Sequence, residues 1–130
     1  MRPLPLVMAV AALSFCVLPD AAYSEPLQGT WSGSGTVEPT GGQREKVRCR
    51  VSYSPQGSKV VAVSATCASA STKIRQTGQL SMVTPNRYVG DFYNSEYDIS
   101  GRIRVSVSGS SQTVTFSSPR GKGSLSLRKQ

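Results

Sequence analysis

The segments that decide the fold are residues 29–37, with the sequence GTWSGSGTV, and residues 47–53, with the sequence VRCRVSY. In the first segment, Trp31 and Val37 lie on one face of the predicted strand, and the other face carries Ser and Thr. In the second, apolar residues alternate with Arg, Arg and Ser. Because successive side chains of a strand point to opposite faces, this period of two predicts β-strands with one buried face.

The same alternation continues along the chain, and no stretch after Gly29 has apolar residues at helical spacing. Short turns containing Gly, Pro, Ser or Asn separate the segments, so consecutive strands are expected to pair as hairpins. We therefore predict an all-β domain that forms an eight-stranded antiparallel up-and-down barrel, with a two-sheet β-sandwich as the alternative. The predicted inner faces of the six later strands carry Val61, Val63, Ala65 and Cys67; Ile74, Gln76, Gly78, Leu80 and Met82; Tyr88, Gly90 and Phe92; Ile99, Gly101, Ile103, Val105 and Val107; Val114 and Phe116; and Leu125 and Leu127.

Residues 1–24 have the three parts of a secretory signal peptide. Arg2 supplies the positive region, residues 4–18 form a mostly apolar run, and Ala22-Tyr23-Ser24 is a small-x-small cleavage site. The apolar run is shorter than the ~20 residues that a membrane-spanning helix needs. We predict cleavage after Ser24, which leaves residues 25–130 as a single β-barrel domain without a transmembrane segment. The expected location is periplasmic or secreted, in a bacterium.

Two cysteines remain in the predicted mature chain, Cys49 and Cys67, because Cys16 leaves with the signal peptide. Both fall on inner faces, and a hairpin centred near Ser58 places them directly opposite each other. Opposed residues have Cβ atoms about 4.5–5.5 Å apart, which a twisted pair can close to disulfide distance. Since exported proteins meet an oxidising environment, a Cys49–Cys67 disulfide is expected.

The available residue types argue against catalysis. The chain has no histidine, and a disulfide would occupy both mature cysteines, so no activated nucleophile has an evident base. The carboxylates Asp91, Glu96 and Asp98 flank a predicted turn, where solvated acids are ordinary. We expect no enzyme activity, no metal site and no cofactor.

Positive charge is the clearest compositional signal, since 15 Lys and Arg against 7 Asp and Glu give a net charge of +8. Like charges on one face repel each other, so clustered cations favour an anionic partner, whereas scattered cations serve only solubility. Partners that fit are an anionic envelope polymer, such as lipopolysaccharide or an acidic polysaccharide, and an acidic protein surface. Nucleic acid is not expected, because export separates it from the protein and no aromatic stacking platform is evident. The predicted basic face has two cross-strand rows: Arg50, Thr66 and Arg75, then Arg48, Ala68 and Lys73.

The predicted interior admits two descriptions. Its aromatic and aliphatic residues can fill an eight-stranded barrel completely, or the inward glycines can leave a small apolar cavity open at one end. Gln76 is the polar exception among the inward residues and would mark the mouth of such a cavity.

The opening Gly29-Thr30-Trp31 resembles the first strand of the calycin-type barrels, which include lipocalins, avidins and small bacterial relatives. In those families the tryptophan of the G-x-W motif closes one end of the barrel, often beneath a basic residue from near the C-terminus. The resemblance implies that Trp31 closes this barrel and that Arg128, or its neighbour Lys129, covers the ring.

Two further resemblances cover the predicted mature chain. The motif G-x-W-x-G-x-G-x-V at 29–37, the motif R-C-R-V-x-Y at 48–53 and the second cysteine, Cys67, are similar to small periplasmic proteins of Gram-negative bacteria, a family that implies a location but no activity. The order of these features is more distantly similar to that of periplasmic metalloprotease inhibitors, whose N-terminal trunk enters the protease cleft. Residues 25–28 would form that trunk here.

We therefore expect an exported, monomeric, non-catalytic binding module that engages an anionic envelope component or a protein partner through its basic face. The alternatives are a lipocalin-like protease inhibitor and a carrier of a small apolar ligand.

Overall fold

The computed structural model describes residues 27–130, together with Pro3 near the start of the chain. The predicted cleavage site and the rest of the signal peptide lie outside the described residues. No helix long and apolar enough to cross a membrane occurs in residues 27–130. The described chain forms eight strands: β1 (Gly29–Pro39), β2 (Glu45–Pro55), β3 (Val60–Ala68), β4 (Lys73–Thr84), β5 (Arg87–Asn94), β6 (Ile99–Ser108), β7 (Ser111–Ser118) and β8 (Gly121–Lys129).

The eight strands form a closed antiparallel barrel in sequence order, with β8 paired to β1. The predicted up-and-down barrel is thus confirmed, and the sandwich alternative is not adopted. A row of paired residues that leaves β2 at Pro55 crosses all the other strands and returns to β2 at Glu45, ten positions away. Such a stagger tilts the strands, so each hydrogen-bonded row climbs helically around the wall.

The core forms because one side of each strand is apolar. On β2, Val47, Cys49, Val51 and Tyr53 are buried, whereas the residues between them are exposed. Buried residues from all eight strands then meet in one interior. The largest fully buried side chains are those of Trp31, Tyr88, Leu27, Leu80, Leu127 and Val61.

Inward glycines let the wall bend tightly. A Cβ atom on Gly90 would lie 1.8 Å from the backbone oxygen of Gln79, and one on Gly33 would lie 2.0 Å from that of Ser126. No side chain fits at such distances, so only glycine allows these strands to approach so closely. Glycines at defined strand positions are a known device for bending a sheet into a barrel.

The predicted disulfide is present between Cys49 and Cys67. The two residues are direct partners in the β2–β3 ladder, and Ser52 pairs with Ser64 in the same register. This confirms the predicted register of a hairpin centred near Ser58.

The two ends of the barrel differ. The mouth is the end that carries the turns at residues 40–44, 69–72, 95–98 and 119–120, and the closed end carries the other turns and both ends of the described chain. Trp31 fills the closed end with no exposed surface, and its Nε1 donates a 2.9 Å hydrogen bond to the backbone oxygen of Leu27. Leu27, also fully buried, completes this plug.

The cation beside Trp31 is Lys129, whose Nζ lies 5.8 Å from the ring centroid. The choice of Arg128 as the barrel-closing cation is corrected by the structure. Leu125 and Leu127 are buried on β8, so alternation places Lys129 on their side and Arg128 on the outer wall.

Candidate functional site

The outer wall of β2, β3 and β4 brings the four predicted cations together. Arg50 and Arg75 flank Thr66 in one cross-strand row, and Arg48 and Lys73 flank Ala68 in the next. All four cationic side chains are exposed. With the outward residues of β1 and β8, they line one shallow groove.

Arg128 extends this surface. It pairs with Ser32 of β1, and Ser32 pairs in turn with Arg50, so a single row carries a cation on β8, β2 and β4. We call these five residues the basic face: Arg48, Arg50, Lys73, Arg75 and Arg128. Arg128 thus has a different position from the one that the calycin resemblance implied.

A second cationic groove lies over β6, β7, β8 and β1. Its volume is about 480 Å³, and it is lined by Arg44, Arg102, Arg104 and Lys122 together with hydroxyl residues. Sequence reasoning missed this cluster. The available signal was the alternation of Arg102 and Arg104 with Ile103 and Val105, but grouping them with Lys122 requires the pairing of β6, β7 and β8.

Carboxylates compensate little of this charge. Within residues 27–130, the one ion pair joins Arg44 Nη2 to Glu38 Oε2 at 3.5 Å, and both side chains are largely exposed. No other cation of the two grooves lies within 4 Å of a carboxylate in the described chain, although Glu38 is the ladder partner of Lys122 and Asp91 is that of Arg102. The field of these cations therefore extends into solvent, where it attracts anions.

Of the other acids, Glu45 lies at the mouth and Asp91 is opposite Arg102 in the β5–β6 pair. Asp98 accepts a 3.1 Å hydrogen bond from the Tyr93 hydroxyl, and this bond, together with the negative charge of Asp98, raises the pKa of Tyr93. Among the described residues, no three His, Cys, Asp or Glu side chains gather where they could hold a metal ion.

The interior contains a cavity of about 100 Å³ that reaches the mouth at Glu45, Ser69 and Thr72. Gln76 lines it, as its inward position on β4 predicts. Pockets for drug-sized ligands usually have volumes of about 300–1,000 Å³, so this space is small for such a ligand.

A buried polar contact inside the barrel was not predicted. The Tyr53 hydroxyl donates a hydrogen bond of 2.5 Å to Gln112 Oε1, while Gln112 Nε2 has no partner in the described structure. Burial raises the pKa of Tyr53 well above its usual value. Gln112 lies two positions before Val114 on β7, so the same alternation could have identified it as inward-facing.

No protein-family model matches the sequence, and no curated protein matches it either. Several solved structures share the fold. A redesigned β-barrel, mFAP1, bound to DFHBI superposes with a TM-score of 0.69 at 15% identity, covering 84% of this chain and 100% of that one. A de novo designed fluorescence-activating β-barrel gives a TM-score of 0.64 at 21% identity over 87% and 100% of the two chains.

A natural protein, Rv2717c from M. tuberculosis, superposes with a TM-score of 0.62 at 11% identity, covering 85% of this chain and 98% of that one. At such identities the likeness concerns the fold alone. The fold and the site together define a small, closed, calycin-like eight-stranded barrel with a largely uncompensated basic outer wall.

Proposed function

We propose that the protein is an exported, non-catalytic binding module that holds an anionic envelope component, or an acidic protein partner, on its basic face. The observation that carries the proposal is the alignment of Arg128, Arg50 and Arg75 in one row, with Arg48 and Lys73 in the next. The signal-peptide pattern of residues 1–24 supports delivery to the periplasm or the exterior.

The electrostatics support an anionic partner. No carboxylate within residues 27–130 forms an ion pair with the basic face. The one ion pair in these residues joins Glu38 to Arg44 in the other groove. Five exposed cations therefore repel each other modestly in the free protein, and an anion that binds among them relieves this repulsion.

Two other observations favour this proposal over its alternatives. A carrier of an apolar ligand needs more interior space than about 100 Å³. A trunk that inserts into a protease needs a projecting segment ahead of β1, but Leu27 is fully buried and bonded to Trp31.

The test is the salt dependence of binding to anionic envelope material, with the variant Arg48→Ser/Arg50→Ser/Lys73→Ser/Arg75→Ser. The screening length falls from ~30 Å at 0.01 M salt to ~8 Å at 0.15 M, so binding should weaken steeply over this range. Surface ion pairs contribute about 0–1 kcal/mol each, so the variant should bind roughly 10- to 100-fold more weakly.

A matched control separates position from total charge. Lys59 and Arg87 are exposed cations near the closed end, outside both cationic grooves. The variant Lys59→Ser/Arg87→Ser should bind like the original protein, whereas Arg48→Ser/Arg50→Ser, with the same net charge, should bind more weakly. Equal losses in the two double variants would show that binding depends on the net charge and not on the basic face.

A further inference from the structure

The cations of the outer wall are concentrated on the even-numbered strands. We call these groups the cation columns: Lys46, Arg48 and Arg50 on β2; Lys73 and Arg75 on β4; Arg102 and Arg104 on β6; and Lys122 and Arg128 on β8. Because neighbouring strands lie about 4.8 Å apart, adjacent columns are separated by about 10 Å.

Between the columns lie strands whose outward side chains are mostly short and hydroxylated, apart from Glu38 near the mouth end of β1. We call these the hydroxyl strands: β1 with Ser32, Ser34 and Thr36; β3 with Ser64 and Thr66; and β7 with Thr113, Thr115 and Ser117. The two cationic grooves lie over these strands, since short side chains between long ones leave a depression. The fourth odd strand, β5, breaks the pattern with Val89, Asp91 and Tyr93.

The path of alternating columns and hydroxyl strands therefore runs from β4 through β3, β2, β1, β8 and β7 to β6. Eight strands share the circumference, so the outward faces of neighbouring strands are rotated by about 45° around the barrel axis. The path therefore wraps most of the barrel. A flat bilayer or a rigid protein face touches only a few adjacent strands of such a convex wall. A flexible chain can follow all of it.

The side chains along the path indicate which class of flexible polymer would bind there. Cations suit carboxylates or other anionic groups, and Ser and Thr hydroxyls can donate and accept hydrogen bonds with sugar hydroxyls. Large exposed hydrophobic side chains, which a membrane or a hydrophobic interface core would use, occur in the described chain at Val83, at the end of β4 far from Lys73 and Arg75, and at Tyr93 and Tyr97, on β5 and in the turn after it. Stacking platforms for nucleic-acid bases are likewise absent from the path.

We propose that the partner is an extended acidic polysaccharide, which lies across the hydroxyl strands with its anionic groups on the cation columns. This inference rests on the proposed function and deepens it in two ways. It names the class of partner, and it extends the binding surface to the β6 column, which lies outside the basic face.

The first test concerns the extent of the path. Binding of long polygalacturonate, a linear polymer with one carboxylate per sugar, is measured with the full chain and with Arg102→Ser/Arg104→Ser. We expect this variant to lose about three- to tenfold in affinity, as each lost surface pair contributes modestly. Lys59→Ser/Arg87→Ser removes the same charge elsewhere and should stay within about twofold.

The second test concerns recognition of the sugar. Ser34 and Ser126 are exposed partners across the β1–β8 pair, and Ser34→Ala/Ser126→Ala leaves the charge unchanged. This variant should weaken the binding of polygalacturonate severalfold but leave the binding of inorganic polyphosphate unchanged. Thermal melting verifies that each variant folds. Substitutions at exposed positions usually change stability little.

The outcomes separate the two proposals. If the β6 variant binds like the original protein while the basic-face variant fails, the extended path is overturned and the proposed function stands. If polyphosphate or single-stranded DNA binds as tightly as polygalacturonate and the Ser variant changes nothing, the partner class is overturned. If no anionic polymer, lipid vesicle or acidic protein binds, both proposals fail.

Discussion

The hydrogen bond between Tyr53 and Gln112 is buried among apolar side chains. Its contribution to the stability of the fold depends on whether the Tyr53 hydroxyl is protonated. Burial raises the pKa of the Tyr53 hydroxyl above its ordinary value of 10.0, so the unfolded chain loses this proton at lower pH than the folded chain does. The contribution to stability is therefore fully present below pH 10.0 and is lost as the pH rises above that value.

Tyr53→Phe should destabilise the barrel by about 1–3 kcal/mol near neutral pH, because Gln112 Oε1 loses its donor while staying buried. Adding Gln112→Leu should recover most of this loss, since it removes both the stranded acceptor and the unpartnered Nε2. Chemical denaturation of the two variants measures both effects.

Repeating the measurement above the ordinary tyrosine pKa of 10.0 gives the control. There the original protein should lose stability more steeply with pH than either variant, as both lack the phenol. A Tyr53→Phe protein as stable as the original near neutral pH would show that the contact contributes nothing to folding.

At the scale of the strand, glycine decides how closely neighbouring backbones approach. Gly90 on β5 is opposite Leu80 on β4, and the carbonyl of Gln79 occupies the space that a Cβ would need. By contrast, Gly57 lies in the turn between β2 and β3, and a Cβ there would meet nothing within 4 Å.

Gly90→Ala should therefore destabilise the barrel by about 3 kcal/mol or more, because the clash is with backbone and cannot be relieved by a rotamer change. Gly57→Ala should change the free energy of unfolding by less than about 0.5 kcal/mol. Thermal melting of the two variants tests the pair, and equal melting temperatures would contradict the close approach of β4 and β5.

Strands and their register were predictable because the information is local. A period of two identifies the buried face, and short turns leave few ways for neighbouring strands to pair. The disulfide followed from the same reasoning, since Cys49 and Cys67 lie on adjacent strands. The barrel prediction also implied that β8 pairs with β1, but the register of that pair joins residues from opposite ends of the chain, and no local pattern encodes it.

Two missed features of the site depend on how strands distant along the chain are aligned. Arg128 joins the basic face only because β8 lies beside β1, and the second groove needs β6, β7, β8 and β1 side by side. The plug residue Leu27 precedes the alternating segment, so the pattern gave no reason to expect it at the closed end. What the sequence left open was therefore the geometry between strands that are distant along the chain.

At the scale of the whole molecule, the proposal of export makes a prediction about mass. The mature protein recovered from the periplasm or medium should begin at Glu25, because cleavage is expected after Ser24. Its intact mass should rise by two hydrogens on reduction, since Cys49 and Cys67 are bonded. A recovered chain that still carries residues 1–24 would contradict the proposed processing.

The pairing of β1 with β8 also affects how the chain folds. Trp31 pairs with Lys129, so the first strand to emerge during synthesis must wait for almost the whole chain before its last neighbour arrives. During that interval β1 presents a row of unpaired backbone groups, which can pair with the strand of another nascent chain. Late, non-local closure also makes folding slow. The unfinished chain is therefore prone to aggregate with other copies of itself, whereas the closed barrel leaves neither edge of its sheet unpaired.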